Sequence, residues 1–117
     1  MQINKQGTRR NAMIKASAIT LGHKYALASF EGGPQQIIQF IEKVQAPAAG
    51  EGLQTVNDGT TNEAVLEMLI DRLKFLQAKM ACRENAIVIT KLEESLMWLE
   101  KRTSDRDKRG VEGTSAK

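Results

Sequence analysis

One cysteine and one histidine, Cys82 and His23, stand among 117 residues, and aromatic side chains make up only 4%. A single cysteine excludes a disulfide within the chain, and one cysteine with one histidine cannot assemble a Cys/His metal cluster. No Gly-rich phosphate loop of the P-loop or dinucleotide type is present, and no Ser/His/Asp set. A nucleophile–base pair would have to use Cys82 or His23, which lie in segments far apart. These absences argue against an enzyme and against a metal or cofactor. No apolar run approaches a membrane span, and the first ten residues are polar and basic rather than a signal peptide. A soluble, cytoplasmic protein is the expectation.

What is present is aliphatic. Hydrophobic residues reach 41%, so a core must be built from Leu, Ile, Val, Ala and Met. A chain of this length forms one domain with a modest core, which association would help. The net charge of +3 is mild but concentrated: Lys101, Arg102, Arg106, Lys108 and Arg109 stand against Asp105 and Asp107. Such a cluster favours a small phosphorylated ligand over a nucleic-acid duplex.

The pattern along the chain predicts an α+β fold: a small N-terminal antiparallel three-stranded meander, then a C-terminal antiparallel helical hairpin. Residues 1–11 read as a flexible arm and 12–44 as the meander. Its first strand begins at Ala12 and places Ile14, Ala16, Ala18 and Thr20 on one side. Gly22-His23 marks a turn, Lys24–Phe30 a second strand and Glu31–Pro34 a loop. The run from Gln35 to Val44 fits a third strand or a short helix, and its β-branched and aromatic residues favour the strand. Residues 45–60 read as a linker loop, holding Pro47, three glycines and few large apolar residues. Thr60 and Glu63 have the spacing of a capping box, so the first helix runs from about Asn62 to Ala78. The hairpin spans 61–109, with Gly110 as a stop, and 110–117 form a tail.

Helical spacing puts Leu66, Leu69, Ile70, Leu73 and Leu76 on one stripe of the first helix. On the second helix it aligns Asn85, Val88, Ile89, Leu92, Leu96 and Leu99. The same face then carries Arg102 and Arg106, so an apolar seam becomes a pair of guanidiniums at one end with a side-chain amide at the other. The arginines fit either of two roles: cations favoured at a helix C-terminus, or a bidentate anion clasp. Asn85 fits a register-setting polar residue or a reader of a base or ribose edge. Phe75 fits core packing or a stacking platform, with Arg72 and Lys79 on its strip. Arg83-Glu84 reads as a local ion pair, Trp98 as packing and Cys82 as a small packing residue. Second apolar strips, Val65, Met68 and Phe75 on one helix and Ile87 and Trp98 on the other, exceed what one hairpin buries. They need either the small sheet or another subunit to cover them; both, and hence an oligomer, is the expectation.

The segments T-N-E-A-V-L-E-M-L-I-D-R-L-K-F-L-Q, C-R-E-N-A, T-K-L-E-E and R-G-V-E-G-T resemble the hairpin domain of phage anti-defence sponges, which include anti-Thoeris protein one and anti-CBASS protein two. The stretch K-Y-A-L-A-S-F-E-G-G-P-Q-Q-I-I-Q-F-I resembles the anti-Thoeris branch. This resemblance implies sequestration, without cleavage, of nucleotide second messengers made by bacterial immune enzymes. It implies glycocyclic ADP-ribose isomers and cyclic di- or trinucleotides as ligands, and a homo-oligomer, commonly a hexamer. Phe75 and Asn85, with Arg83, Lys15 and Lys43, match the groups that hold the cyclic ADP-ribose type. Arg102 and Arg106 match the pair that clasps cyclic trinucleotides about a symmetry axis. Neither a membrane nor nucleic acid is expected as partner. The rival readings are a small basic nucleic-acid-binding protein, a structural helical-hairpin interaction module, and a cyclic-nucleotide hydrolase.

Overall fold

The structure is a computed structural model, and it describes residues 15–46 and 52–109. Three antiparallel strands come first: β1 (Ala16–Thr20), β2 (Lys24–Leu27) and β3 (Gln36–Gln39), in sheet order β1-β2-β3. Ala18 faces Tyr25, Tyr25 faces Ile38, and a bulge separates Ala18 from Thr20. The β1–β2 turn closes with the His23 amide donating to the Thr20 carbonyl at 2.9 Å, and Gly22 takes φ +80°, a conformation that suits glycine. The first part of the expected first strand, including Ile14, lies outside the described residues.

Two expectations need correction. The run from Gln35 to Val44 is not one strand. It breaks at Phe40 and Ile41, and β4 (Glu42–Gln45) leaves the first sheet to pair with β5 (Leu53–Asn57). The segment 45–60, read as a loop, therefore carries a strand. Its proline and glycines masked the β-branched pair Thr55-Val56, while Gly52 at φ +77° turns the chain beside that strand. Leu53 pairs with Gln45, and the Asn57 side-chain amide donates to the Glu42 carboxylate at 3.1 Å.

A backbone clasp joins the sheets to the helices. Phe40 and Thr60 form an isolated parallel bridge, with the Thr60 amide donating to Gln39 at 2.8 Å and the Ile41 amide donating to Thr60 at 2.9 Å. Gly59 lies so close to the backbone of Gln39 and Phe40 that a β-carbon would come within 2.7 Å of the Phe40 carbonyl carbon. The clasp commits Thr60, and Thr61 takes the capping role one residue later than the Thr60–Glu63 box predicts. Its hydroxyl accepts from the Ala64 amide at 3.1 Å, and Glu63 in the first turn complements the helix dipole.

The hairpin comprises α1 (Asn62–Lys79) and α2 (Arg83–Lys108). Ile70 is buried, and Leu66, Leu73 and Leu76 are half-buried, as are Ile89, Leu92, Leu96 and Leu99 of the second stripe. Leu69 and Val88, both expected on the stripes, are exposed. Lys74 and Glu93 pair across the helices at 3.0 Å, a solvated bridge of small energetic worth. α2 is eight residues longer than α1, an excess of about 12 Å at 1.5 Å per residue. Among the described residues the closely packed element pairs are β1 with β2, β2 with β3, β4 with β5 and α1 with α2.

Little of the apolar inventory is covered. The buried apolar residues are Ala26, Ala46 and Ile70, while Met68, Phe75, Met97 and Trp98 are each at least half exposed. Phe30, at the tip of the β2–β3 loop, is 91% exposed.

Candidate functional site

The two ends of the hairpin bring different chemistry together. At the far end of α2, Trp98, Lys101, Arg102, Asp105, Arg106 and Arg109 line a hollow of about 500 Å³. These residues recur three and four apart, so one helical face carries an indole followed by four cations. Arg102 is exposed. Arg106 is 6% exposed and makes an interaction within the chain. A guanidinium buried at the end of an apolar seam is held in place by its surroundings, which suits directional contact with a phosphate or carboxylate. The single carboxylate in the hollow, Asp105, accepts from Lys101 at 3.0 Å. That hydrogen bond, with the positive charges of Lys101, Lys108 and Arg109, holds its carboxyl below the ordinary carboxylate value. Asp105 is therefore ionised at neutral pH and partly offsets the positive field.

At the other end the helices meet through Met80-Ala81-Cys82. Phe75 is 59% exposed, and the Lys79 ammonium stands 5.0 Å from its ring centroid. The aromatic with a neighbouring cation read from the sequence is thus present, with the ammonium over one face of an exposed ring. Asn85 is half-buried in the first turn of α2, where its backbone N–H donates to the Cys82 sulfur at 3.4 Å. Cys82 is the N-cap of α2 rather than the packing residue expected, and its thiol is exposed. Arg83 lines a separate hollow of about 320 Å³ with Ile87 and Lys91.

Lys15 and Lys43 are not neighbours of Phe75 in this arrangement. Lys15 precedes β1 and its carbonyl accepts from Ala28, and Lys43 lies in β4 opposite Thr55. Both belong to sheets attached at the start of α1, whereas Phe75 lies 13 residues further along it, about 20 Å. Asn85 and Arg102 are 17 residues apart on α2, about 25 Å. One protomer therefore presents two separated groups: Phe75, Lys79 and Asn85 at the turn, and Arg102 and Arg106 at the opposite end.

Sequence reasoning did not find a third feature, a cleft of about 630 Å³ between the first sheet and the start of α1. Tyr25 and Phe40 meet edge to face in its wall, with ring centroids 5.9 Å apart. It arises from the Phe40–Thr60 clasp, a long-range contact with no local sequence signature. Among the described residues no group of His, Cys, Asp and Glu is placed to hold a metal ion. No helix there is long and apolar enough to cross a membrane.

Comparison with known proteins agrees with the hairpin geometry. A family model described as the Acb2/Tad1 hairpin domain matches residues 38–104, more than half of the chain. Thoeris anti-defense 1 of Bacillus phage SBSphiJ7 is 56% identical over 61 residues. The aligned part is 51% of this chain and 43% of the relative, so the match covers less than half of that protein. The matched segment takes in β4, β5, α1 and most of α2, including the seam, the turn and Arg102. This chain belongs to the Acb2/Tad1 hairpin-domain family.

Proposed function

We propose that the protein is an anti-defence sponge, one that binds immune nucleotide second messengers and withholds them from their effectors without cleaving them. The observation that carries this reading is the Trp98–Arg109 hollow, where two exposed guanidiniums, Arg102 and Arg109, and one buried one, Arg106, line the same hollow as an indole. Phosphates need forked donors and bases need flat apolar surface, and this hollow supplies both. The name of the phage relative, Thoeris anti-defense 1, supports an anti-defence role.

In this reading Arg102 and Arg106 take cyclic trinucleotides, while Phe75, Asn85 and Arg83 take glycocyclic ADP-ribose isomers. Lys15 and Lys43 reach such a ligand only from another copy of the chain, since they lie far from Phe75 within one protomer. The exposed strips of Met68, Met97, Ile87 and Trp98 supply contact surface for a homo-oligomer, with a hexamer as the favoured total. The site of action is the cytoplasm of the infected bacterium. Sequestration rather than turnover is supported by the deployment of the two nucleophile–base candidates: Cys82 caps α2, and His23 sits in the β1–β2 turn. Sponging requires tight binding, and a nanomolar dissociation constant corresponds to about −12 kcal/mol. Charge-assisted hydrogen bonds of roughly 1.5–3 kcal/mol each and stacking of about 1–3 kcal/mol per base are of the right size to supply it.

The test is depletion and recovery. Protein is mixed with glycocyclic ADP-ribose and a cyclic trinucleotide, unbound ligand is removed, and the complex is heat-denatured. Recovery of both ligands intact supports the reading. A linear product accumulating with time identifies a hydrolase instead. Binding that ignores cyclisation and collapses steeply with salt identifies a nucleic-acid binder.

A further inference from the structure

The connection between the helices contains no glycine. Met80 and Cys82 are both extended, at φ −151° and φ −146°. A turn of this kind lacks the left-handed residue through which helices commonly close their last carbonyls. Here the Met80 backbone N–H closes the Leu76 carbonyl at 2.9 Å, and a side chain ties the end of α1 to the start of α2. The Gln77 amide nitrogen donates to the Cys82 carbonyl at 2.9 Å, and the Gln77 amide oxygen accepts from the Cys82 backbone N–H at 3.0 Å. Cys82 in turn caps the first turn of α2, its sulfur accepting from the Asn85 backbone N–H. Gln77 lies seven residues beyond buried Ile70, on the seam face, where a polar side chain is retained only if satisfied.

We propose that Gln77 is a positioning residue for the turn-end ligand group, acting through Cys82 on Asn85; this rests on the reading of Phe75 and Asn85 as ligand-binding. The two hydrogen bonds fix the start of α2 against the end of α1, which carries Phe75 and Lys79. Without them the first turn of α2, which carries Asn85, is free to shift relative to the end of α1, which carries Phe75. The arginine end of α2, more than 25 Å away by the helix rise, is outside the reach of this clamp.

The test compares Gln77→Ala and Gln77→Glu with the parent protein. Gln77→Ala should bind glycocyclic ADP-ribose about tenfold more weakly, the loss of two neutral hydrogen bonds, while cyclic trinucleotide binding is unchanged. Gln77→Glu keeps the acceptor for the Cys82 N–H but turns a carboxylate toward the Cys82 carbonyl. Its defect should shrink as pH falls through the carboxylic range, about 4–5, because the protonated acid donates again; the defect of Gln77→Ala should not. Unchanged affinity for both ligands, or equal loss of both, overturns the proposal, the second because it signals general destabilisation. Side-chain amide NMR of Asn85 without ligand supplies an independent arm: broadened or shifted resonances in Gln77→Ala support the clamp, and an unchanged pair overturns it. If Phe75→Ala binds glycocyclic ADP-ribose normally, the ligand assignment has failed, and the NMR arm alone decides the clamp.

Discussion

Replacing Gly59 with alanine probes the clasp that joins the sheets to the helices. A β-carbon at this position would approach the Gln39 carbonyl oxygen still more closely than the carbonyl carbons of Phe40 and Gln39, at 2.7 and 2.8 Å. Those atoms are backbone and cannot swing aside as the end of a side chain does, so Gly59 or the β3 end must move. Overpacking of this kind costs roughly 1–3 kcal/mol. Displacement also stretches the paired bonds between Thr60 and the Gln39–Ile41 segment, each worth about 1 kcal/mol. The total is about 3–5 kcal/mol, which for a domain of this size lowers the melting midpoint by at least about 9 °C. Thermal unfolding followed by circular dichroism measures it. Gly33→Ala is the matched control, because a β-carbon there meets the nearest atom, the Ser29 β-carbon, at an ordinary 3.7 Å. Equal midpoints for the two variants would refute the argument that the close approach at Gly59 requires glycine.

Four further outcomes are expected. Trp98 is the sole tryptophan and lines the arginine hollow, so cyclic trinucleotide should alter its emission, whereas glycocyclic ADP-ribose should not. Arg102→Ala should abolish trinucleotide binding by calorimetry while leaving the fold intact, whereas Arg106→Ala should also lower the melting midpoint because that side chain is buried. Asp105→Asn should tighten trinucleotide binding a few-fold at low salt by removing the one negative charge in the hollow, and the gain should fade as salt rises. With regard to pH, the lowered Asp105 value means that the Lys101–Asp105 contribution is full above the ordinary carboxylate value and is lost as pH falls through the depressed value. Helicity of the last turns of α2 in an acid titration checks the sign.

The helices were legible because their signals are local and periodic. The seam residues from Leu66 to Leu76 and from Ile89 to Leu99 recur every three or four positions, and all but Leu69 of them are buried or half-buried. Val88 also departs from the pattern and is exposed. The β4–β5 hairpin was not legible, since its strands are four and five residues long and are flanked by Ala, Pro and Gly. The cap moved from Thr60 to Thr61 because Thr60 is claimed by β3, a tertiary fact that no local motif encodes. Of the candidate site, the i, i+4 pairs Phe75 with Lys79 and Arg102 with Arg106 were readable from spacing. The Gln77 clamp was not, because a glutamine on a seam looks like any other polar interruption until its two partners are seen.

Each packed pair of elements joins neighbours in the chain: β1 with β2, β2 with β3, β4 with β5 and α1 with α2. The closing loops are short, and low sequence separation between contacting residues is what makes small domains fold quickly. Each unit can form as soon as its own residues leave the ribosome, without waiting for the C-terminus. The Phe40–Thr60 bridge is the exception, spanning 20 residues, and it can be made only once β4 and β5 have been synthesised between its ends. Folding of a single chain should therefore be fast and nearly independent of protein concentration. Any slow phase should be second order, reflecting encounters between copies whose apolar strips are already formed.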